Sequence, residues 1–363
     1  MNRRDILKTG LLFAGQALAA PERITIYRSG ADGYHTYRIP AILRTPKGTL
    51  LAFAEARKNT PSDSGDIDMV VKRSSDGGKT WSPQILVADQ AEDTIGNPCP
   101  VIDRKSHTIW MPLTANPGKA NKKDVIEGRG TRTVWITSSK DDGKSWTPTR
   151  EITSQVKQKD WTWFATGPGI GIQLKDGRLV IPSNHRKVGS DISYSHAMVS
   201  TDGGKSWTSG QAVSEKTNEC QVVELAGGDL LMNMRSFHGK NRRVVARSKD
   251  RGATWTDAHL HEELIEPACQ ASIIAAGSGS GRVLLFSNPA ATKRVNMTVR
   301  LSRDEGKTWP AAQSLYAGPS AYSSLVDLGG NQAGCLFECG EKNAYQEICF
   351  TKFSLDWIAA GKS

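Results

Sequence analysis

SSDGGKTW, Ser74 to Trp81, is the first of five copies of one pattern, followed by SKDDGKSW from Ser139, STDGGKSW from Ser200, SKDRGATW from Ser248 and SRDEGKTW from Ser302. Each copy has a Ser, an Asp two residues on, a Gly two after that and a Trp three further. A hydroxyl and a carboxylate at this spacing can accept turn N–H groups, the Gly supplies a positive φ, and the Trp can fold back onto a sheet as an anchor. The pattern reads as the turn of a β-hairpin. Five such turns at separations of 48 to 65 residues mean one supersecondary unit repeated around an axis.

The predicted fold class is therefore all-β, a β-propeller. The repeats run through nearly all of the 363 residues without a linker-like stretch, so residues 21–363 are predicted to form one domain. A blade of roughly 55 residues gives about six blades, the sixth shared between the two termini. Short strands precede each turn, as in IDMVVKRS, RTVWITSS, SHAMVS, RRVVARS and VNMTVRLS.

Residues 1–20 read differently. Arg3 and Arg4 precede the apolar LLFAG, and the segment ends in the small-residue site Ala17-Leu18-Ala19, which predicts a twin-arginine-like export signal cut near Ala19. No other apolar run approaches the ~20 residues that a membrane span needs. A periplasmic or secreted location is expected. The six cysteines, Cys99, Cys220, Cys269, Cys335, Cys339 and Cys349, include no C-x-x-C pair and no His partner at zinc spacing. A twin-arginine route carries folded protein, so buried thiols are expected as readily as disulfides.

The net charge of +10 falls to +8 without Arg3, Arg4, Asp5 and Lys8. The Lys and Arg residues are scattered and form no polybasic block with interleaved aromatics, which argues against nucleic acid and for a small anionic substrate. Gly167-Pro168-Gly169-Ile170-Gly171 lacks the spacing and the following helix of a phosphate cradle. There is no G-x-S-x-G elbow and no H-E-x-x-H. No metal and no cofactor are expected.

In a propeller, functional residues come from the inner strands and loops of several blades, and so lie far apart in sequence. Arg38, Arg235 and Arg294 sit in or beside predicted strands of three blades, and their forked guanidinium groups could converge on one carboxylate. Three unrelated ion-paired arginines would give the same sequence.

The run YRIPAILRTPKGTLLAFAEAR from Tyr37 to Arg57, with the DSGDIDMVVKRSSDGGKTW that begins at Asp63, resembles the bacterial and animal exo-sialidases. These are six-bladed propellers that remove terminal sialic acid. The resemblance continues through WTWFATGPGIGIQL, NECQVVELAGGDLLMNMR and AYSSL, and so covers essentially the whole chain after the leader. It implies that Arg38, Arg235 and Arg294 grip the substrate carboxylate, that Asp63 is the acid/base, and that Tyr322 is a nucleophile activated by Glu219. Asp66 and Asp68 compete with Asp63 on spacing, but both stand at the start of a strand. The resemblance also implies that Arg57 lies near the substrate pocket and that Glu338 holds Arg38 in place. Asn97 stands where many bacterial relatives carry an aspartate that contacts the acyl-amino side of the substrate, which leaves acyl preference open. The expected partner is a sialylated glycan, and nothing demands an oligomer. A trans-sialidase or intramolecular trans-sialidase would keep these residues. A non-catalytic sugar-binding propeller would not need Asp63, Glu219 and Tyr322 together.

Overall fold

The computed structural model describes residues 20–362, so the expected leader and its cleavage point lie outside the described residues, apart from Ala20. Among the described residues no helix is long and apolar enough to cross a membrane.

The strands pair as successive antiparallel meanders. The first runs Thr36–Arg44, Leu50–Arg57, Ile67–Ser74 and Ile85–Ala88. The second begins with the short Thr94–Gly96 and Val101–Asp103 and continues through Thr108–Asn116, Thr133–Ser139 and Arg150–Glu151. The third passes from Trp161–Thr166 and Ile172–Gln173 to Leu179–Lys187, Ser193–Ser200 and Thr208–Ser209. Thr217–Glu224, Leu230–Ser236, Arg242–Ser248 and Thr256–Ile265 form the fourth. The fifth consists of Ser272–Ala276, Val283–Pro289, Val295–Ser302 and the first part of Ala311–Gly329. The far part of that long strand opens the last group, with Gln332–Cys339, Glu347–Ser354 and, as outermost member, the N-terminal Arg23–Arg28. Neighbouring meanders touch in turn, Ile67–Ser74 with Thr94–Gly96, Thr108–Asn116 with Trp161–Thr166, Leu179–Lys187 with Thr217–Glu224, Thr217–Glu224 with Ser272–Ala276 and Ser272–Ala276 with Ala311–Gly329. Thr36–Arg44 meets Ala311–Gly329, and the arrangement closes as a propeller.

The five repeated turns share one hydrogen-bond network. The Ser hydroxyl donates to the Asp and accepts the N–H of the Gly four residues on, as at Ser74, Ser139, Ser200, Ser248 and Ser302. The same Asp accepts the backbone N–H and the hydroxyl of the Thr or Ser before the Trp. The Gly adopts a φ of 92° at Gly78 and 91° at Gly204. A Cβ at Gly204 would also lie 2.3 Å from the Trp110 indole of the preceding meander. Each turn joins the third strand of a meander to its fourth. The last meander takes its fourth strand from the other end of the chain, which is why it has no such turn.

The core is divided into wedges between neighbouring meanders. Along Thr217–Glu224, Val222 packs toward Val180 and Ala197 of the third meander, while Val223 packs toward Ile273 and Phe286 of the fifth. Strands buried on both faces require the near-continuous apolar runs seen in the sequence. The turn tryptophans seal the wedges: Trp81 meets Phe350 edge-on at 5.7 Å, and Trp146 meets Phe53 at 5.7 Å.

Candidate functional site

A cavity of about 190 Å³ is lined by Arg38, Arg57, Asp63, Asn97, Glu219, Arg235, Arg294 and Tyr322 among others. These are all but one of the nine residues to which the family resemblance gave a role. The exception, Glu338, is buried directly beneath. Of the competing acids, Asp68 is buried and accepts the Tyr34 hydroxyl at 2.6 Å, and Asp66 lies 3.5 Å from Lys58. Neither lines the cavity.

Three β-bulges aim the central groups. Pairing slips between Arg38 and Ala41, between Thr217 and Cys220, and between Ser320 and Ser323. A bulge inserts an unpaired residue and re-aims its neighbours. Here the slips take Glu219 and Tyr322 out of the ladder and leave Arg38, still paired with Glu55, at the edge of the first break, with all three lining the cavity. At the first of them Ile39 has φ 58°, an outlier for a β-branched residue. The N–H groups that two bulges free are taken up by one carboxylate: Glu338 accepts from Ile39 N at 2.9 Å and from Tyr322 N at 3.0 Å. Glu338 also accepts from Arg38 Nε at 2.7 Å.

Tyr322 donates its hydroxyl to Glu219 Oε1 at 2.5 Å, and Arg235 Nη1 lies 2.7 Å from Glu219 Oε2 and 3.3 Å from the Tyr322 oxygen. Burial, followed by the charge of Glu219, pushes the phenol well above its ordinary value, with Arg235 pulling the other way. The phenol is therefore neutral at rest. Arg294 Nη1 donates to Tyr345 Oη at 2.7 Å, and the Arg38 guanidinium sits 4.2 Å from the Tyr345 ring centre.

Asp63 stands on the rim, 2.8 Å from Arg57 Nη1 and 3.8 Å from Arg38 Nη1. Partial burial raises its carboxyl, but Arg57 and Arg38 together outweigh this and hold it below the ordinary range. Arg57 is itself oriented by Glu55, at 2.7 Å. The other Glu55 oxygen accepts Asn97 N at 2.9 Å, and a Cβ at Gly96 would lie 2.3 Å from it.

Sequence reasoning passed over Glu55, Arg132, Trp163 and Tyr345. Arg132 is buried, hydrogen-bonds Asn97 Oδ1 and Thr114, and lies 4.0 Å from the Trp163 ring centre. Burial lowers it to about 10, against the pull of Glu55, Asp63 and Glu219. The available signal was an acid or an arginine inside or just before an apolar strand, as in LLAFAEAR and before TVWITSS. Counted around its wall, the cavity carries six arginines, Arg186 included, against three carboxylates, so it favours an anion.

Residues 48–335 match the family described as BNR repeat-like domain. The chain is 33% identical over 386 residues to the exo-alpha-sialidase of Aspergillus fumigatus, covering 96% of this chain and 90% of that one. It is 33% identical to rat sialidase-2, covering 88% and 93%. With a sialidase of Bacteroides fragilis it shares 32% identity over 87% of its own length but spans only 62% of that relative. Among solved structures, Hadza microbial sialidase Hz136 superposes with a TM-score of 0.84 at 30% identity, over 93% of this chain and 69% of that one.

Proposed function

This chain belongs to the sialidase family, and from that footing we propose that it is a retaining exo-α-sialidase that hydrolyses terminal sialic acid from glycoproteins, glycolipids or oligosaccharides. The observation that carries this reading is the contact of the Tyr322 hydroxyl with Glu219 at 2.5 Å, on a cavity wall shared with Arg38, Arg235 and Arg294.

The chemistry follows from charge. The anomeric carbon of sialic acid already bears a carboxylate, which would seat among Arg38, Arg235 and Arg294 through forked, charge-assisted hydrogen bonds. An anionic nucleophile would be repelled by that group. A neutral phenol is not, and it becomes nucleophilic as Glu219 takes its proton during attack. Sialidases with a tyrosine nucleophile are exceptions to the usual pair of carboxylates.

Asp63 would protonate the leaving glycosidic oxygen and afterwards deprotonate the water that hydrolyses the tyrosyl intermediate. In the empty cavity Arg57 and Arg38 favour its ionised form. A substrate carboxylate arriving at Arg38 weakens that hold and raises the carboxyl toward a proton-carrying state. We also place the mature protein, a single domain over residues 21–363, in the periplasm or outside the cell. That placement rests on the leader-like residues 1–20 alone.

The test is release of a fluorescent aglycone from an α-linked sialoside, with the sugar product followed by NMR. The α-anomer of free sialic acid should appear first. The β-anomer appearing first would overturn retention, and an anhydro product would overturn hydrolysis in favour of intramolecular transfer. Sialoside binding without release would leave a sugar-binding propeller.

A further inference from the structure

All six cysteines are buried, but they divide into two kinds. Cys99, Cys220, Cys269 and Cys335 have thiols pushed up by burial, to about 12 at Cys220 and Cys335 and about 11 at Cys269. Such thiols are inert. Cys339 and Cys349 sit on the adjacent strands Gln332–Cys339 and Glu347–Ser354, with their sulfurs 2.9 Å apart. The contact with Cys349 lowers the Cys339 thiol, and the nearby Arg23 guanidinium adds to the effect, while the same contact and burial push Cys349 up, so Cys339 is the attacking group and Cys349 needs a proton acceptor. Glu347 Oε2 lies 3.5 Å from the Cys349 sulfur, within reach of its proton. Glu347 is already paired with Arg28 at 2.6 Å, so the trio is better furnished for thiol chemistry than for a cation.

The two sulfurs bracket the segment 340–348, and that segment carries Tyr345. Tyr345 is the group that accepts from Arg294 at 2.7 Å and underlies Arg38 at 4.2 Å. Its backbone oxygen also accepts the Ser29 hydroxyl at 2.8 Å. Cys339 directly follows Glu338, which holds Arg38 and the Tyr322 N–H.

We propose that Cys339 and Cys349 form a dithiol/disulfide site whose oxidation clasps the segment bearing Tyr345 against the arginines of the cavity. The oxidant is a low-molecular-weight disulfide, RSSR. The Cys339 thiolate attacks one of its sulfurs, forming a mixed disulfide and releasing RS⁻. Cys349 gives its proton to Glu347, and its thiolate attacks the Cys339 sulfur and expels the second RS⁻. Two protein thiols are oxidised, one disulfide is reduced to two RSH, and the two protons leave with them.

The native, full-length protein treated with oxidised glutathione and, separately, with a reducing agent provides the test. Peptide mapping should find Cys339 joined to Cys349 with a loss of two hydrogens, the other four cysteines staying free. Hydrogen exchange over 340–348 should slow in the oxidised form, and the melting temperature should rise by about 3 °C for a loop of this size. KM for a sialoside should fall roughly threefold with kcat unchanged, because a fixed Tyr345 removes an ordering cost from binding. Cys349→Ser cannot complete the second step: after oxidation it should carry glutathione on Cys339 and no internal bridge, and exchange over 340–348 should not slow. Free thiols at both positions after oxidation would overturn the site. A bridge that leaves exchange over 340–348 unchanged would overturn the clasp. The KM comparison rests on the proposed activity: absence of turnover in both forms would count against that activity, while mass and exchange still decide the clasp.

Discussion

Tyr322 and Glu219, 103 residues apart in the chain, meet through a 2.5 Å hydrogen bond whose donor is the phenol. Each stands at a bulge in the first strand of its meander, so neither is held by the regular ladder. Arg235 touches both. In the proposed mechanism this pairing fixes which atom receives the tyrosine proton.

Glu219→Gln keeps the shape and removes the acceptor charge. We expect kcat to fall roughly 10²- to 10⁴-fold with little change in KM. Tyr322→Phe should cost at least as much. Steady-state kinetics on a fluorogenic sialoside check both, and a Tyr322→Phe variant of near-normal kcat would remove the phenol from the mechanism.

Glu338 is fully buried and serves one guanidinium and two backbone N–H groups. Glu338→Ala leaves Arg38 as a buried charge without this partner, which should cost about 3–5 kcal/mol of stability. Glu338→Gln should cost less and raise KM through a misplaced Arg38. Denaturant midpoints and KM separate the two effects.

Asp63 is held below the ordinary carboxylate range because Arg57 and Arg38 outweigh its burial. Arg57→Met removes the stronger hold, so the carboxyl rises. The alkaline fall of kcat/KM reports loss of the proton from the acid and should therefore move to higher pH. An unmoved or acid-shifted limb speaks against Asp63 in that role.

His185 and His196 face each other through Nδ1 atoms 3.0 Å apart, with His185 stacked on Trp161 at 3.6 Å. Burial, aided by Lys187, lowers His185 to about 3, and burial puts His196 well below its usual value. Both folded values lie below the unfolded one. Their stability is thus fully present above about pH 6.5 and is lost as pH falls toward 3, with His185 accounting for about 2 kcal/mol at pH 5. Thermal melts at pH 7 and pH 5 should differ less in His185→Phe than in the wild type.

Asp202→Ala deletes the acceptor of the Lys205 and Ser206 N–H groups at one repeated turn. The loss should be about 1 kcal/mol, since those donors remain solvated. The cavity residues do not touch this turn, and kcat/KM should hold.

The turns were legible because they are local: Ser, Asp, Gly and Trp within eight residues contain every partner of the network. The apolar runs likewise announced short strands before each turn; that they are buried on both faces came only with the structure. The gathering of Arg38, Arg235, Arg294, Asp63 and Tyr322 rested on likeness to a family and not on any local pattern. The bulges beside Arg38, at Glu219 and at Tyr322 left no mark in the sequence; the first and third depend on Glu338, distant in sequence from Arg38, receiving the freed N–H groups. Tyr345 and Arg132 were overlooked for a related reason. Each sits in an unremarkable loop or strand start, and it acquires meaning only from the neighbours that the ring brings to it.

The joint between Glu347–Ser354 and Arg23–Arg28 is the same third-to-fourth-strand joint that the chain makes five times through a covalent turn, made once without one. Joining the two ends with a sixth Ser-x-Asp turn and opening the chain at another of the turns, between Ser248 and Trp255 for instance, would trace the same circle. Where the polypeptide starts is then genetic punctuation laid on a cyclic object. A permuted gene should encode the same cavity, with its arginines and its phenol arriving in a different order from the ribosome.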